Sequence, residues 1–100
     1  MFVMFTYDVP AERTVKFRKL LRRYLGHEQF SVFFGEQTAA RCDKLRLELR
    51  KLVSDRDRVL EFVAENRHNV DIAVWSKAGR IDGVPQVTPD ERHKQDSLVI

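Results

Sequence analysis

The chain has 100 residues, of which 43% are hydrophobic, and a formal net charge of +3 at pH 7. This is enough apolar material for one compact domain and too little for two. No run approaches the roughly 18 apolar residues of a membrane span, and the single cysteine, Cys42, excludes an internal disulfide and a multi-cysteine zinc site. Because the apolar start lacks a basic leader region, we predict a cytoplasmic protein that meets a reducing environment.

The first part of the chain predicts a strand, a helix and a second strand. Residues 2–8 form a continuous apolar run with β-branched and aromatic members. A helix can begin at Pro10, and its apolar residues follow the spacing i, i+3, i+4, i+7 and i+8. Gly26 is predicted to end this helix in the left-handed conformation. Residues 29–34 predict the second strand, with a turn or kink at Gly35.

The following residues predict a second helix and two more strands. Residues 38–53 have helical apolar spacing, and Thr38 is a suitable N-cap. Residues 59–65 and 70–76 alternate in polarity on either side of a polar turn, as strands do. The order of elements therefore predicts an α+β sandwich of the ferredoxin-like type, in which one antiparallel sheet carries both helices on one face.

The C-terminal part predicts a loop and a last strand. Residues 77–96 contain glycine, proline and many charges, and we predict a loop there, although loops this long are uncommon in small domains. The apolar residues 97–100 return to a strand pattern, and a strand exchanged with a partner chain in a homodimer would explain them. We therefore assign residues 1–76 to the ferredoxin-like domain and residues 77–100 to a loop and C-terminal strand of the same domain.

The positive charge is concentrated in one segment. Residues 13–23 contain six basic residues and no acid, and a block this local is a plausible contact surface for a polyanion. The alternative is an ordinary solvated helix face, because the same residues alternate with the apolar positions of the predicted helix. The sequence pattern alone leaves both interpretations open.

Asp8 is the notable acid, because it ends the apolar first strand. A carboxylate held at a strand end is rigidly placed, and Mg²⁺ prefers a carboxylate together with waters and substrate phosphate. Two chains related by a two-fold axis would bring two such acids together, where a metal could polarise a phosphodiester and activate a water. The alternative is that Asp8 caps the helix that begins near Pro10, where the helix dipole also favours an acid.

Other sites of chemistry are weakly indicated. The chain has no glycine-rich phosphate loop, no HExxH motif and no Cys/His metal cluster. Tyr7 could stack on a base or bind a phosphate, or it could simply be a packed strand residue. His27 could be a polar strand-edge residue. Phe33 and Phe34 are predicted to point to opposite faces of a strand, with one in the core and the other exposed or at an interface.

The order and spacing of three segments resemble the CRISPR-associated protein 2 family, the small subunit of the spacer-adaptation complex. The segments are TYDVP, KFRKLLRRYLG and QFSVFFGE. The first matches the Tyr-Asp pair that ends the family's opening strand, and the second matches its basic first helix. The third matches its Gln-x-Ser-Val-Phe-x-Gly strand. The resemblance is closest over residues 1–53, general over 54–76 and weak beyond, and it rests on the combination of motifs.

The resemblance implies a homodimer of ferredoxin-like protomers and a metal-dependent endonuclease that cuts single-stranded RNA or double-stranded DNA. It implies that Asp8 binds Mg²⁺, or Mn²⁺, at the two-fold axis and is the catalytic residue. It also implies a role in bridging two CRISPR integrase dimers during spacer integration. Under this hypothesis the residues that contact nucleic acid are Tyr7, Arg13, Lys16, Lys19, Arg23, His27 and Phe33. Two alternatives are a catalytically silent duplex-binding scaffold and a stand-alone toxin-like ribonuclease of the same fold.

The sequence departs from the family pattern at two positions. Phe34 stands where the family often has an acid, and His27 stands where it commonly has a basic residue. The charge of His27 depends on pH near neutrality. Both differences bear on cleavage more than on the fold.

Overall fold

One antiparallel sheet organises the chain. The computed structural model describes residues 1–78 and 81–94, and within these ranges four strands pair in the order β2-β3-β1-β4. The strands are β1 (Phe2–Asp8), β2 (Gly26–Gln29), β3 (Val32–Glu36) and β4 (Arg58–Ala64). Helices α1 (Thr14–Arg22) and α2 (Ala39–Leu52) both pack on one face. This arrangement confirms the predicted ferredoxin-like α+β fold.

Strand β1 is the central element because its alternate residues serve two faces of the sheet. Val3 and Phe5 point toward the helices and are 0% and 3% exposed. They pack in one core with Phe33 of β3 and with apolar residues of both helices. Tyr7 continues this set, whereas Phe2, Met4, Thr6 and Asp8 belong to the alternate set that faces away from the helices. The apolar run at the start of the sequence therefore serves both faces of the sheet.

Both helices begin close to where the sequence predicts. A short 3₁₀ turn (Ala11–Arg13) leads into α1. The Thr38 hydroxyl accepts a hydrogen bond from the Arg41 N–H at 3.2 Å, which confirms it as the N-cap of α2. The prediction for Gly26 is wrong, because it begins β2 and has no positive φ. Instead, the chain after α1 is held by a Leu25 N–H···O=C Leu21 bond of 2.8 Å, so no left-handed residue is needed.

The predicted second strand is in fact a hairpin. Strand β2 ends at Gln29 and β3 begins at Val32, so that Phe30 and Ser31 form a tight turn. Phe30 has a φ of 38° and is 90% exposed. The aromatic residues of the segment QFSVFF suggest one continuous strand. In the structure, Phe30 lies in the turn and Phe33 and Phe34 lie in β3. The pairing of β2 with β3 shifts between His27 and Gln29, as in a β-bulge.

The predicted loop over residues 77–96 is wrong in part. Strand β6 (Gln86–Asp90) lies inside it and pairs with β5 (Ile72–Ser76) in a separate two-stranded sheet. Although only a short segment with a 3₁₀ turn (Arg67–Asn69) lies between β4 and β5, β4 pairs with β1 and β5 pairs with β6. Polarity could not reveal β6, whose sequence QVTPD is largely polar and contains a proline. The predicted exchanged strand at 97–100 lies outside the described residues.

The second hairpin is attached to the sheet by its last residues. A 3₁₀ turn (Arg92–Lys94) follows β6, and its His93 is 1% exposed, with its ring edge-on to the rings of Phe2 and Phe34. Arg92 binds the carboxylates of Asp90 and Glu28. Within residues 1–78 and 81–94, no helix is long and apolar enough to cross a membrane.

Candidate active site at the end of strand β1

Asp8 is exposed and lies at the open end of the sheet. It is the last residue of β1, and its register partner on β4 is Arg58. The alternative interpretation, in which Asp8 caps the first helix, is wrong: the 3₁₀ turn that precedes α1 has Pro10 at its N-cap and no side-chain capping bond. In the described part of the chain, neither Asp8 nor Arg58 has a side-chain hydrogen bond or ion pair. Both side chains are therefore available to a ligand.

A shallow pocket of about 200 Å³ surrounds Asp8. It combines one carboxylate, one guanidinium, hydroxyl groups and an apolar wall. Its lining residues are Thr6, Tyr7, Asp8, Ser31, Arg58 and Leu60. A guanidinium next to a carboxylate suits a phosphodiester, because the cation binds the phosphate oxygens while the acid can hold a metal ion.

One protomer supplies a single carboxylate to this pocket. Among the described residues, no three His, Cys, Asp or Glu side chains lie close enough together to hold a metal ion. That excludes a protein cage of the calcium or zinc type within those residues. It fits Mg²⁺, which is commonly bound through one or two carboxylates together with waters and substrate phosphates. Asp8 fits such an ion because its carboxylate is exposed and is not used by a neighbouring side chain.

The exposed basic residues of α1 form a charged surface on that helix. Lys16 and Lys19 are exposed and lie one turn apart. Arg23 follows the helix, is 60% exposed in its side chain, and forms an ion pair with Glu48 at 3.1 Å. The two lysines therefore present unneutralised charge, while that of Arg23 is partly neutralised by a neighbour.

Arg13 has a structural role that the sequence did not indicate. Its Nε donates to both carboxylate oxygens of Asp57 at 2.9 and 3.0 Å, and its Nη2 donates to the carbonyl of Leu52 at 2.8 Å. The side chain of Asp57 is 0% exposed. The Arg13 hydrogen bonds hold the pKa of Asp57 below its usual value, against the opposing effect of burial. Because most donors of Arg13 are engaged, we leave it out of the proposed phosphate contacts.

Tyr7 packs mainly against the core. Its ring lies 5.5 Å from that of Phe17 and 6.2 Å from that of Phe33, and burial raises the pKa of its hydroxyl. The same residue lines the Asp8 pocket and a second pocket on the other side. Tyr7 thus separates the two pockets while being packed in the sheet.

The prediction that Phe33 contacts nucleic acid is wrong. Its ring is 0% exposed in the helix-covered core, so no base can stack on it. Phe34 does point to the opposite face, but it is only 3% exposed because Phe2 and His93 pack on it. The prediction that the rings point to opposite faces is therefore confirmed. The expected exposure of the second ring is wrong, and its alternative place at an interface stays a prediction. His27 is exposed, and its ring stacks on Phe33 at 4.4 Å.

Sequence reasoning missed two cations near the site. Arg58 lies across from Asp8 only because β4 pairs with β1 over fifty residues of chain, and no local pattern indicates that register. Arg18 lines the second pocket with Tyr7 and is exposed. The basic segment 13–23 could have indicated Arg18 from the sequence. Its position beside Tyr7 is visible only in the fold.

Comparison with known proteins identifies the family and agrees with the fold. The family profile described as "CRISPR associated protein Cas2" matches residues 1–72. A protein of Haloferax volcanii named CRISPR-associated endoribonuclease Cas2 is 42% identical over 78 residues, which cover 78% of this chain and 91% of the relative. A protein of Thermodesulfovibrio yellowstonii, named CRISPR-associated endoribonuclease Cas2 3, is 41% identical over 69 residues, covering 68% and 78%. A crystal structure described as Cas2 superposes with a TM-score of 0.72 and 35% identity, covering 80% of this chain and 91% of the other.

Proposed function

This chain belongs to the CRISPR-associated protein Cas2 family, and on that premise we propose that it is a CRISPR-associated, metal-dependent endonuclease that acts as a homodimer. The relatives carry the name endoribonuclease, which supports a nuclease role. The observation that carries the proposal is the unpartnered Asp8 carboxylate opposite Arg58 at the open end of the sheet. The pocket around Asp8 contains both a carboxylate, which can hold a metal ion, and a guanidinium, which can bind phosphate oxygens.

Each residue of the pocket has a distinct task in this proposal. The Asp8 carboxylate holds Mg²⁺, or Mn²⁺, and Arg58 neutralises the phosphate group as negative charge develops in the transition state. A bound divalent cation supplies Lewis-acid polarisation of the phosphate and an activated water. Lys16 and Lys19 bind neighbouring phosphates and so hold the nucleic-acid chain along α1.

Dimer formation is proposed to complete the site. The sheet face opposite the helices exposes apolar side chains in line with Asp8: Leu60 is 44% exposed and Phe62 49% exposed. Their register partners on β1 are Thr6 and Met4, so all of them share that face. A second copy packed on this face would cover the apolar residues and bring two Asp8 carboxylates near one axis.

The proposed role in spacer integration rests on family membership. In this role the dimer bridges two CRISPR integrase dimers and holds a duplex along its basic surface. Co-purification with an integrase subunit would support the bridging role, whereas a nuclease fully active without one fits the stand-alone toxin-like ribonuclease.

The decisive experiment is cleavage of labelled single-stranded RNA and duplex DNA, each with Mg²⁺ and with EDTA. We expect wild-type protein to cut at least one substrate only with Mg²⁺. Asp8→Asn should reduce the rate by at least about 100-fold, since the nucleophile then lacks its activating metal. Asp55→Asn is the matched control, because Asp55 is an exposed acid away from the pocket.

The second candidate function is a catalytically silent scaffold. It is favoured by one observation, namely that each protomer contributes a single carboxylate and no further acid to the pocket. In that case wild-type and Asp8→Asn proteins would bind duplex DNA equally and neither would cut it. Cutting by Asp8→Asn that persists in EDTA would show that a contaminant is responsible.

A further inference from the structure

The hairpin turn beside the Asp8 pocket carries an unusual residue. Phe30 is 90% exposed and has a φ of 38°, in the left-handed region that favours glycine. A side chain in this conformation raises the steric energy of the backbone, and exposing a phenyl ring to water adds to it. Strained residues that persist in a fold are commonly found at binding sites. Packing in the core does not offset these two unfavourable energies, because the Phe30 ring contacts solvent.

The turn that presents Phe30 is firmly held. The Nε2–H of His27 donates to the Phe30 carbonyl at 2.7 Å. The His27 ring itself stacks on the buried ring of Phe33, with a centroid distance of 4.4 Å and an interplanar angle of 9°. From the other side, the Tyr7 N–H donates to the Ser31 carbonyl at 3.3 Å. The exposed ring is therefore carried by a turn fixed to the core, and it is pre-organised for contact.

Phe30 also forms one wall of a pocket. This pocket of about 230 Å³ is lined by Tyr7, Thr14, Arg18, Phe30 and Ser31. It combines an aromatic face, a guanidinium and two hydroxyl groups from Thr14 and Ser31. The Asp8 pocket shares Tyr7 and Ser31 with it, so the two lie side by side at the same end of the sheet.

We propose that the Phe30 pocket holds one unpaired nucleobase, stacked on the Phe30 ring, and so selects single-stranded nucleic acid at this site. Every base has a π-face that stacks on an aromatic ring, and Arg18 can contact the base plane or the adjacent phosphate. Bases inside a duplex already stack on their neighbours and cannot enter such a pocket without being unpaired. The inference rests on the proposed function in that both place nucleic acid at this end of the sheet.

The position of the pocket explains how it would act on the neighbouring site. A base stacked on Phe30 fixes the nucleotide next to the phosphate held at Asp8 and Arg58. Phe30 is thus a binding residue, and His27 is a positioning residue that acts by holding the Phe30 carbonyl. This gives His27 a role that does not depend on its charge.

The test measures binding in EDTA, so that cleavage does not enter. Fluorescence anisotropy compares a labelled 12-nucleotide RNA with a duplex of the same sequence, using the full chain. We expect Phe30→Ala to weaken single-strand binding about 5-fold to 100-fold and to leave duplex binding within about 2-fold, because one stacked base is lost. Phe30→Trp should retain single-strand affinity.

Two further variants separate binding from folding. Phe30→Gly removes the ring and suits the positive φ, so it should weaken single-strand binding while the Tm stays equal or rises. Leu47→Ala removes an apolar side chain of α2 that is 49% exposed and lies outside the pocket, and it should leave both affinities unchanged.

The possible results lead to clear decisions. Unchanged single-strand binding in Phe30→Ala, or equal loss for single strand and duplex, overturns the inference. A selective loss of single-strand binding supports it even if the wild-type protein does not cut, in which case only the nuclease proposal fails.

Discussion

The two faces of the sheet differ in how completely they are covered. On the helix side, Phe33, Phe17 and Leu21 are 0% exposed, and both helices close the core. On the opposite side, the rings of Phe2 and His93 pack on Phe34, and Phe62 remains 49% exposed. Both faces are built from the same strands, so their difference comes from what packs on them. The helix side stabilises the protomer, while the open side retains apolar surface and ends in Asp8.

This difference suggests how a small domain can combine stability and assembly. A 100-residue chain buries a limited share of its surface, and here the buried share is concentrated beneath the helices. An exposed, contiguous apolar patch in line with a functional residue is typical of an interaction surface. The comparison leads to four predictions, of which the first two test the two faces and the other two test the charges of the helix side.

The largest effect is expected from truncating the same residue type on each face. Phe33→Ala should lower the free energy of unfolding by about 3–5 kcal/mol, because it leaves a cavity in a closed core. Phe62→Ala should lower it by about 1 kcal/mol, because half of that ring is already exposed. Urea denaturation of both variants at two protein concentrations measures this. If Phe33→Ala and Phe62→Ala lowered the free energy of unfolding equally at both concentrations, the two faces would not differ as described.

Charge placed on the open face should break the proposed dimer. Phe62→Glu should weaken association by more than about tenfold, because a carboxylate would be buried in an apolar interface. Leu47→Glu is a matched control, since Leu47 on α2 is also 49% exposed. Sedimentation velocity at a concentration where the wild type is dimeric measures the result. An intact dimer in Phe62→Glu would remove this face as the interface.

The pH dependence of stability should reveal the ion pair between Arg13, which precedes α1, and Asp57, which follows α2. The pKa of Asp57 is lowered in the folded protein, mainly by hydrogen bonds from Arg13. The unfolded chain therefore binds more protons, and this contribution is complete above the unfolded pKa of about 4 and lost as pH falls through the folded pKa. Denaturation between pH 7 and pH 2 should show a shallower acid loss in Asp57→Asn, but not in Asp55→Asn. The same slope in wild type and Asp57→Asn would show that the pair does not govern acid stability.

The smallest effect is expected at the outer surface of α1. Lys16→Gln and Lys19→Gln should each reduce the slope of log K against log salt by about 1, because each releases one counterion fewer. Phe30→Ala should leave that slope unchanged, since stacking is not a charge interaction. Anisotropy titrations at several salt concentrations measure the slopes, with Arg50→Gln on α2 as the control. Unchanged slopes in both lysine variants would place the nucleic acid elsewhere.

The candidate site was only partly predictable from the sequence, because some of its residues meet through contacts between distant parts of the chain. Asp8 and the exposed lysines could be found from the sequence, because a strand end and a helix face are local patterns. Arg58 could not be found, because it meets Asp8 through a long-range strand register. Arg13 and Phe33 were assigned to the nucleic-acid surface by motif, but Arg13 is bonded to Asp57 and Phe33 is buried under the helices. Phe30 was hidden within an apolar segment that suggested a strand.

The sequence by itself determined the helices, strands β1 and β4, the fold class and the family, because these follow from apolar spacing, capping and the order of short motifs. Only the tertiary structure decided that β5 pairs with β6 rather than with β4, that QFSVFF turns at Phe30, and which cations remain free. These features depend on strand register and on competition between distant partners. Such choices have no counterpart in local periodicity, since a hydrogen bond or ion pair between distant residues leaves no pattern in the intervening chain.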